Sequence, residues 1–518
     1  MDTLAHSAMK TVQAHEEAEA DRLSDLDLAL ENWARRHGAC ALVARAFALA
    51  SRAVAQGHTC LALEQIPAAL MSREQQQELP AALAQSPLVG APATVRPLIL
   101  EHDRLYLQRY HVYETRLAER LRKLIATAPA PVACQRLLPE QGLFAHDAAN
   151  PEASNWQAVA AFVALRHRFC VISGGPGTGK TYTIVRLLRL LIENALAVHD
   201  PVPLVALAAP TGKAAARMVD AVRAGLEQMQ DSADFDPVVL QHMPQSAHTL
   251  HRLLGLSGAG TRPRFHADNP LPADVVIVDE ASMVDLPLMA KLAAAIHGSA
   301  RLILLGDRYQ LASVESGSVL AEICASAGVN RFSAAQQRAA GELLAEPNTA
   351  GTHALADHVV TLQTSRRFNA DSIIGRLAAA VNTGAADTAT ELLQAGHAEL
   401  AYHDGADAAA MRELMDRLVT NYAALMQAAD PASALALLER QCVLAAVRNG
   451  PAGSETLNSG ISERLARRFD FNPAALWYHG RPVMVTQNDY RSGLFNGDVG
   501  ITLRDEHGQL RVWFMTES

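Results

Sequence analysis

Closely spaced cysteines, long apolar runs and a surplus of positive charge are all missing from this sequence. Its six cysteines lie far apart, with no Cys-x-x-Cys pair and no cysteine–histidine cluster. This disfavours a disulfide framework or a zinc site and favours free thiols in a reducing cytosol. No apolar run approaches the roughly 20 residues that cross a bilayer, and the acidic residues within 16–21 interrupt the apolar core that a signal peptide needs. We therefore expect a cytoplasmic protein without a membrane partner.

The net charge of −9 gives no sign of a nucleic-acid partner, because basic patches are the usual electrostatic mark of such proteins. Any site for a polyanion must then be a local groove, and the evidence for it must come from motifs. A hydrophobic content of 49% is a globular value, so a chain of 518 residues has material for about three or four domains.

Three regions of the chain differ in their apolar patterns. Residues 1–130 show mostly helical spacing and no catalytic constellation, so we expect a helical N-terminal domain that docks on a partner. Residues 150–325 alternate short apolar runs with helical patterns, which predicts a parallel sheet covered on both faces. Residues 355–518 are predicted to form a second α/β domain, with a buried strand at 441–447 and a small β-barrel inserted at about 475–518.

The most informative stretch is 173–181, Ser-Gly-Gly-Pro-Gly-Thr-Gly-Lys-Thr, which follows an apolar run and opens a helical pattern. A phosphate-binding P-loop requires that order of strand, glycine loop and helix, because loop N–H groups and the helix N-terminus attract phosphate. Lys180 can reach the β- and γ-phosphates of ATP, and the Thr181 hydroxyl can ligate Mg²⁺. The predicted nucleotide-binding residues of the loop are Gly174, Gly175, Pro176, Gly177, Thr178, Gly179, Lys180 and Thr181. The alternative is a glycine-rich turn that happens to carry a lysine.

Two further apolar runs end in residues suited to hydrolysis of a phosphoanhydride. Asp279 follows one run and fits the second protein contact to Mg²⁺, and the adjacent Glu280 is the candidate base for the attacking water. Gln310 follows the next run, where its amide can bond both the γ-phosphate and that water. The alternatives are a solvated acidic pair and an ordinary strand–turn–helix connection.

Two other residues are predicted to contact ATP. Gln157 lies about 20 residues before the P-loop and can present a donor and an acceptor to the edge of adenine, which favours ATP over GTP. Arg367 follows a strand-like run assigned to the second domain, and an arginine reaching the γ-phosphate from there stabilises transition-state charge. The neighbouring Arg366 is interpreted as a surface charge.

Two helix starts are candidate contacts to the backbone of a bound nucleic-acid strand, because backbone N–H groups and hydroxyl, His, Lys and Arg side chains bind phosphate. The candidate residues are Pro210, Thr211, Lys213, Thr249, His251 and Arg252. Each segment could equally be an ordinary capped helix.

In this order, the motifs resemble those of a superfamily-one helicase of the 5′-to-3′ kind, and more narrowly those of the RecD family of RecBCD-type helicase–nucleases. The residues that carry the resemblance are 155–157, 172–181, 208–217, 249–255, 278–283, 305–315, 480–484 and 494–500. The resemblance is strong from about 150 to 510 and weaker over the N-terminal region.

The resemblance implies two RecA-like motor domains with Mg²⁺ and ATP in the cleft between them. Single-stranded DNA would cross their surface, and hydrolysis would drive movement towards the 3′ end. It also implies a heterotrimer with RecB-like and RecC-like subunits that processes double-stranded DNA ends in break repair and recombination, with the nuclease in another subunit.

One departure from the family pattern concerns two motifs expected near the C-terminus, one like T-V-H-K-S-Q-G-S and one like Y-T-A-V-T-R-A-R. Neither is present in the sequence, so we expect an incomplete second motor domain. The alternatives are a stand-alone superfamily-one helicase and, because these motifs are missing, an ATP-binding scaffold without motor activity. A metabolic P-loop kinase is disfavoured because Gln310 and Arg367 belong to a two-domain motor arrangement.

Overall fold

A computed structural model gives the architecture of two compact units, 1–370 and 371–518. The residues that the structure describes are 23–138, 143–144, 153–230, 235–256, 262–311, 316–345, 351–366, 372–403, 405, 407–486, 489 and 492–515. No helix in this described part combines the length and the apolar character that a bilayer span requires.

The N-terminal region combines the predicted helices with a small sheet that the sequence analysis missed. Its elements are α1 (Asp25–Arg36), α2 (Ala41–Ala55), β1 (Leu61–Ala62), α3 (Arg73–Gln85), β2 (Val89–Gly90), β3 (Leu98–Glu101), β4 (Arg104–Leu107) and α4 (Gln108–Ile125). Helix α1 begins at a capping box, in which the Ser24 hydroxyl and the Asp27 carboxylate each accept from the other residue's backbone N–H. The strands lie in the order β1-β4-β3-β2. Runs of two to four residues are too short to show the alternation that predicts a strand.

The following part of unit 1 alternates strands and helices. Its elements are α5 (Trp156–Arg166), β5 (Phe169–Gly174), α6 (Lys180–Ala197), β6 (Val205–Ala209), α7 (Gly212–Gln230), α8 (Val238–His242), β7 (Ala247–Thr249), α9 (Leu250–Leu253), β8 (Val275–Val278), α10 (Leu286–Ala295), β9 (Arg301–Gly306), α11 (Val319–Ala327), α12 (Ala334–Ala340) and β10 (Val359–Leu362). The six strands form one sheet in the order β10-β5-β9-β8-β6-β7, and every pairing is parallel. The predicted α/β fold with a parallel sheet is confirmed.

Helices cover both faces of this sheet, as the uninterrupted apolar strands predict. Successive strand residues point to opposite faces, so Cys170 and Ile172 pack with α5, α6 and α7. Phe169 and Val171 pack on the other face with α10 and α11. The carboxyl ends of the strands therefore share one edge that is built on a rigid core.

Helix α4 of the N-terminal region packs on the second face of the sheet. Leu117 and Leu124 belong to the same core as Leu288 and Leu292 of α10. The guanidinium of Arg120 donates to the carbonyl oxygens of Ala293, at 3.1 Å, and of Ile296, at the end of α10 where carbonyls lack intrahelical partners. Arg120 therefore caps α10 and ties α4 to the helices that cover the first sheet.

A second junction joins the N-terminal region to the turn before α11. The Ser316 hydroxyl donates a 2.7 Å hydrogen bond to the carbonyl oxygen of Val54, and the Gly317 N–H donates one of 3.0 Å to that of Gly57. Gly317 has a φ of +104°, and an added Cβ would lie 2.8 Å from the Leu286 Cβ. Only glycine fits this junction without strain.

Strand β10 belongs to the first sheet, although the sequence analysis placed it in the second domain. Val359 pairs with Val171 and Leu362 with Gly174, both in β5. The two strands are almost 190 residues apart in the chain, and a parallel pairing over that separation leaves no local signal in the sequence.

Unit 2 consists of helices and a small sheet. Its elements are α13 (Ile373–Thr383), α14 (Ala386–Gln394), α15 (Ala408–Met426), α16 (Pro431–Glu439), α17 (Ser454–Phe469), β11 (Arg481–Met484), β12 (Val499–Arg504) and β13 (Leu510–Phe514). The strands form an antiparallel sheet in the order β11-β12-β13. Ile501 and Leu503 of β12 pack against Leu425 and Leu435 of α15 and α16.

Unit 2 differs from the predicted second α/β domain. The segment 441–447 is not a strand, and Leu444 within it is 91% exposed. A buried parallel strand needs paired neighbours, and the described residues of unit 2 hold only the antiparallel sheet. The barrel predicted at about 475–518 is, over its described residues, this three-stranded sheet, in which β11 and β13 both pair with β12.

Candidate nucleotide-binding site

The loop 173–181 leaves the carboxyl end of β5 and leads into α6, as predicted. Gly177 and Gly179 have positive φ angles of 77° and 87°, which glycine adopts at little cost. The Thr178 hydroxyl donates a 2.9 Å hydrogen bond back to the carbonyl oxygen of Gly175. The loop therefore has the compact, positive-φ path of a phosphate cradle at the N-terminus of an 18-residue helix.

Lys180 lies over this loop. Its Nζ donates to the carbonyl oxygens of Gly174 at 2.6 Å and Gly175 at 3.3 Å. These oxygens hold an ammonium group at the mouth of the loop, where phosphate oxygens would offer it stronger, charged acceptors.

Gln157 lies directly beside the P-loop although it precedes Lys180 by 23 positions. The Asn155 side chain caps α5 by accepting from the Gln157 N–H at 3.1 Å. The Gln157 Nε2 then donates to the carbonyl oxygen of Thr178 at 2.9 Å. A Cβ added to Gly179 would lie 2.1 Å from that Nε2. The amide is thus held against the loop by a helix cap and by a glycine that leaves room for it.

The acidic pair follows β8, two strands from β5 in the sheet. The Asp279 carboxylate accepts the Glu280 N–H at 2.9 Å, and Glu280 has a left-handed backbone with φ 50° and ψ 39°. Burial raises the pKa of Asp279, and the hydrogen bond from Glu280 and the charge of Lys180 oppose this effect. Burial and then the charge of Asp279 raise the pKa of Glu280. The structure therefore concentrates negative charge next to the P-loop lysine.

A cavity of about 420 Å³ lies between the acidic pair and the residue after Lys180, Thr181. It is lined by Thr181, Thr211, Lys213, Ala214, Arg217, Met218, Ala221, Asp279, Glu280, Met283 and Gln310. Hydroxyl and carboxylate oxygens are the ligands that Mg²⁺ prefers, so Thr181 and Asp279 suit that ion. Thr211 and Lys213, predicted as DNA contacts, lie in the same cavity.

Arg217 is a cavity residue to which the sequence analysis gave no role. It is exposed and its charge lowers the pKa of Glu280. Lys213 and Arg217 are four positions apart on α7, and residues at that spacing share one helix face. The four-residue spacing of Lys213 and Arg217 is the sequence pattern that could have identified Arg217 as a site residue.

Gln310 lies at the end of β9, beyond Asp307. Its backbone N–H donates to the Asp307 carbonyl oxygen at 3.2 Å, and its side-chain Oε1 accepts from the Ser282 hydroxyl at 2.9 Å. The structure thus brings the predicted Gln310 to the acidic segment around Glu280.

The segment after β10 also lies on the P-loop. The Arg366 N–H donates to the Gly177 carbonyl oxygen at 2.9 Å, and the Ser365 hydroxyl donates to that of Pro176 at 2.9 Å. The Arg366 guanidinium is 5.6 Å from the centre of the Tyr182 ring. Arg366 is exposed, as expected of a surface charge, and it is also a neighbour of the loop. Arg367 lies outside the described residues.

The other predicted DNA contacts lie at the same edge of the sheet. Pro210 follows β6. The Thr249 hydroxyl caps α9 by accepting from the Arg252 N–H at 3.3 Å, and His251 and Arg252 are exposed on that helix. A capped helix and a phosphate contact are compatible here, so the DNA role stays a prediction.

A parallel sheet with a glycine-rich phosphate loop, an acidic pair and a glutamine at neighbouring strand ends defines a P-loop nucleoside triphosphatase domain. Residues 156–316 match the family model described as an AAA domain, and residues 19–106 match that of the N-terminal domain of RecBCD enzyme subunit RecD. The chain belongs to the RecD family.

Three relatives of known name support this assignment. The RecBCD enzyme subunit RecD of Mycolicibacterium smegmatis is 37% identical over 496 residues, which cover 91% of this chain and 78% of that protein. The subunit of the same name from Haemophilus influenzae is 36% identical over 70% of this chain and 59% of its own length. The ATP-dependent RecD2 DNA helicase of Deinococcus radiodurans is 28% identical over 83% of this chain and 48% of its own length.

Proposed function

We propose that this protein is an ATP-dependent DNA helicase subunit that moves 5′ to 3′ along DNA within a RecBCD-type helicase–nuclease. The observation that carries this function is the single cavity that joins Thr181, Asp279, Glu280 and Gln310 at the carboxyl edge of the parallel sheet. Membership of the RecD family supports the coupling of that site to DNA.

Lys180 and four of the cavity residues each have a distinct task in hydrolysis. Lys180 binds the β- and γ-phosphates in place of its present carbonyl contacts. Glu280 orients the attacking water and accepts its proton. Gln310 bonds the γ-phosphate and that water. Thr181 and Asp279 would hold Mg²⁺, which when bound offsets phosphate charge.

Gln157 supplies the preference for ATP over GTP in this proposal. Its amide is anchored to Thr178 of the P-loop, so it lies at a fixed position next to the nucleotide. An amide offers both a donor and an acceptor, which match the N6 amine and N7 of adenine. Arg367 is the proposed arginine that stabilises charge on the γ-phosphate.

DNA would bind along the edge where the strands end. The proposed contacts are Pro210, Thr211, Lys213, Thr249, His251 and Arg252, each at or close to a helix N-terminus, where N–H groups bind phosphate. Lys213 also lines the nucleotide cavity, so it is placed to respond to both ligands. RecB-like and RecC-like subunits are the proposed partners in the cytoplasm, with the N-terminal region as the docking surface, because that region matches the RecD N-terminal family.

Steady-state ATP turnover of the 518-residue chain, with and without single-stranded DNA, tests this function. We expect DNA to stimulate turnover several-fold and Lys180→Ala to abolish it, whereas the control Lys123→Ala on exposed α4 surface leaves it unchanged. Unchanged turnover in Lys180→Ala would remove the P-loop from the mechanism. ATP binding without DNA-stimulated turnover would favour the ATP-binding scaffold.

A further inference from the structure

We infer that Ser282 is a positioning residue for ATP hydrolysis, because its hydroxyl fixes the side-chain amide of Gln310 with the Nε2 end towards the nucleotide cavity. This inference rests on the proposed function, since it assigns Ser282 a part in the same reaction. It adds a residue that neither contacts the nucleotide in the proposed mechanism nor carries charge.

The geometry around the hydroxyl is specific. Ser282 lies in the short turn Ala281–Met283 that follows Glu280, and only 8% of it is exposed. Its Oγ donates to Oε1 of Gln310 at 2.9 Å. Gln310 itself is exposed, so without this hydrogen bond its side chain would rotate among several staggered conformations.

The direction of the hydrogen bond decides which end of the amide meets the phosphate. An amide oxygen only accepts, an amide nitrogen only donates, and phosphate oxygens accept. With Oε1 held by Ser282, the two N–H groups of Gln310 remain for the γ-phosphate. The flipped amide would turn its oxygen towards the phosphate, where two acceptors repel each other.

The backbone keeps Ser282 in reach of Gln310. Glu280 begins the turn in the left-handed region at φ 50°, which is uncommon for a residue with a side chain and which surrounding contacts must maintain. Gly306 at the end of β9 allows close approach, since a Cβ there would lie 3.0 Å from the Ser282 nitrogen and 3.4 Å from that of Ala281. The candidate base and the γ-phosphate glutamine are therefore held together through Ser282.

A double-mutant cycle on ATP turnover tests the inference. We expect Ser282→Ala to lower kcat about tenfold, the value of one lost hydrogen bond, with little change in the KM for ATP. Ser282→Thr keeps the hydroxyl and should retain most of the activity. In a Gln310→Ala background, Ser282→Ala should have no further effect, because residues that act through one another are not additive. The control is Ser299→Ala, which removes an exposed hydroxyl from the same unit.

Two outcomes would overturn the inference: full activity of Ser282→Ala, or an equal loss with and without the Gln310 side chain. Thermal unfolding of each variant shows whether a loss of activity is a loss of fold. If the wild-type chain hydrolyses no ATP, the proposed function fails, and nucleotide affinity then tests Ser282 separately. We expect Ser282→Ala to reduce the preference for a non-hydrolysable ATP analogue over ADP several-fold, and an unchanged preference would reject the positioning role.

Discussion

Arg366 donates its backbone N–H to the carbonyl oxygen of Gly177 across a distance of 2.9 Å. This hydrogen bond joins the residues that follow β10 to the P-loop that follows β5, and the two strands are adjacent in the sheet. Backbone contacts do not depend on side-chain identity, so this approach is a property of the fold. The loop is consequently held by residues 365–366 at Pro176 and Gly177 and by Gln157 at Thr178.

Glu280→Gln is expected to leave Mg·ATP bound while it lowers turnover by about 10²- to 10⁴-fold, the usual contribution of a general base. Glutamine has the same shape but cannot accept the proton from water. Single-turnover hydrolysis and equilibrium binding of a fluorescent ATP analogue separate the two effects. Glu227→Gln on the exposed side of α7 is the control, and retained hydrolysis in Glu280→Gln would exclude the base role.

Gly179→Ala is expected to weaken ATP binding about tenfold or more, because the added Cβ would displace the Gln157 amide from the loop. The positive φ of 87° also makes alanine strained by about 1 kcal/mol. Gly384→Ala is a matched control: its φ is +72° and nothing lies within 4 Å of the added Cβ. Both variants should lose similar stability in thermal unfolding, and only Gly179→Ala should lose ATP affinity.

His167 should make the folded state less stable in acid. Burial, and then the charge of His358, lower its pKa from 6.5 to about 4. The unfolded chain therefore binds a proton between pH 6.5 and 4 that the folded chain does not, so stability falls as pH decreases through that window. The loss is at most about 3 kcal/mol.

The Nε2–H of the same histidine donates to Oε1 of Gln336 at 3.1 Å, and its ring meets the ring of His358 edge-on. Asp357 raises and Arg166 lowers the pKa of His167 as smaller effects. Denaturant unfolding at pH 7.5 and 5 measures the pH effect, and His167→Gln should reduce it. The exposed His297, changed to Gln, should not, and an unaltered pH dependence in His167→Gln would assign the effect to other groups.

Arg252→Ala is expected to weaken binding of single-stranded DNA several-fold and to reduce its salt slope by about 0.7, the value of one phosphate contact on a single strand. Arg252 is exposed and does not line the nucleotide cavity, so ATP affinity should stay unchanged. Fluorescence anisotropy with a labelled oligonucleotide at several salt concentrations measures both quantities. The control Arg223→Ala removes a surface charge paired with Asp220. Equal affinities for wild type and Arg252→Ala would remove α9 from the DNA path.

Features of the fold and site that depend on neighbouring residues in the sequence were predicted correctly, and features that depend on distant residues were not. Lys180, Asp279 and Gln310 each follow an apolar run, and this pattern places each residue after the end of a strand. The strands belong to one parallel sheet, so the three residues lie at the same edge. Val359–Leu362 also reads as a strand, but its partner Val171–Gly174 is remote in sequence, and the pattern contains no information on pairing. This is why the sequence did not assign β10 to the first sheet.

The wrong strand at 441–447 and the unforeseen contact of Arg120 have different causes. The run 441–447 is apolar, but a short apolar run does not distinguish a buried strand from an irregular segment, and Leu444 is exposed. Arg120 carries charge on a helix face, which usually means solvent, whereas here it meets the carbonyl oxygens at the end of α10. Such a contact depends on which helix end packs nearby in the folded protein. The sequence pattern around Arg120 does not specify that packing.

The shared core of α4 and α10 bears on how the protein can be divided for study. A fragment that started at α5 would leave Leu288 and Leu292 without the side chains of Leu117 and Leu124 that now cover them, and would also lose the hydrogen bonds that Ser316 and Gly317 make to residues of the N-terminal region. Such a shortened polypeptide would expose an apolar strip and would be prone to aggregate. Loss of function in it would then report a damaged fold, whereas point substitutions in the intact chain keep the two regions joined and can be interpreted residue by residue.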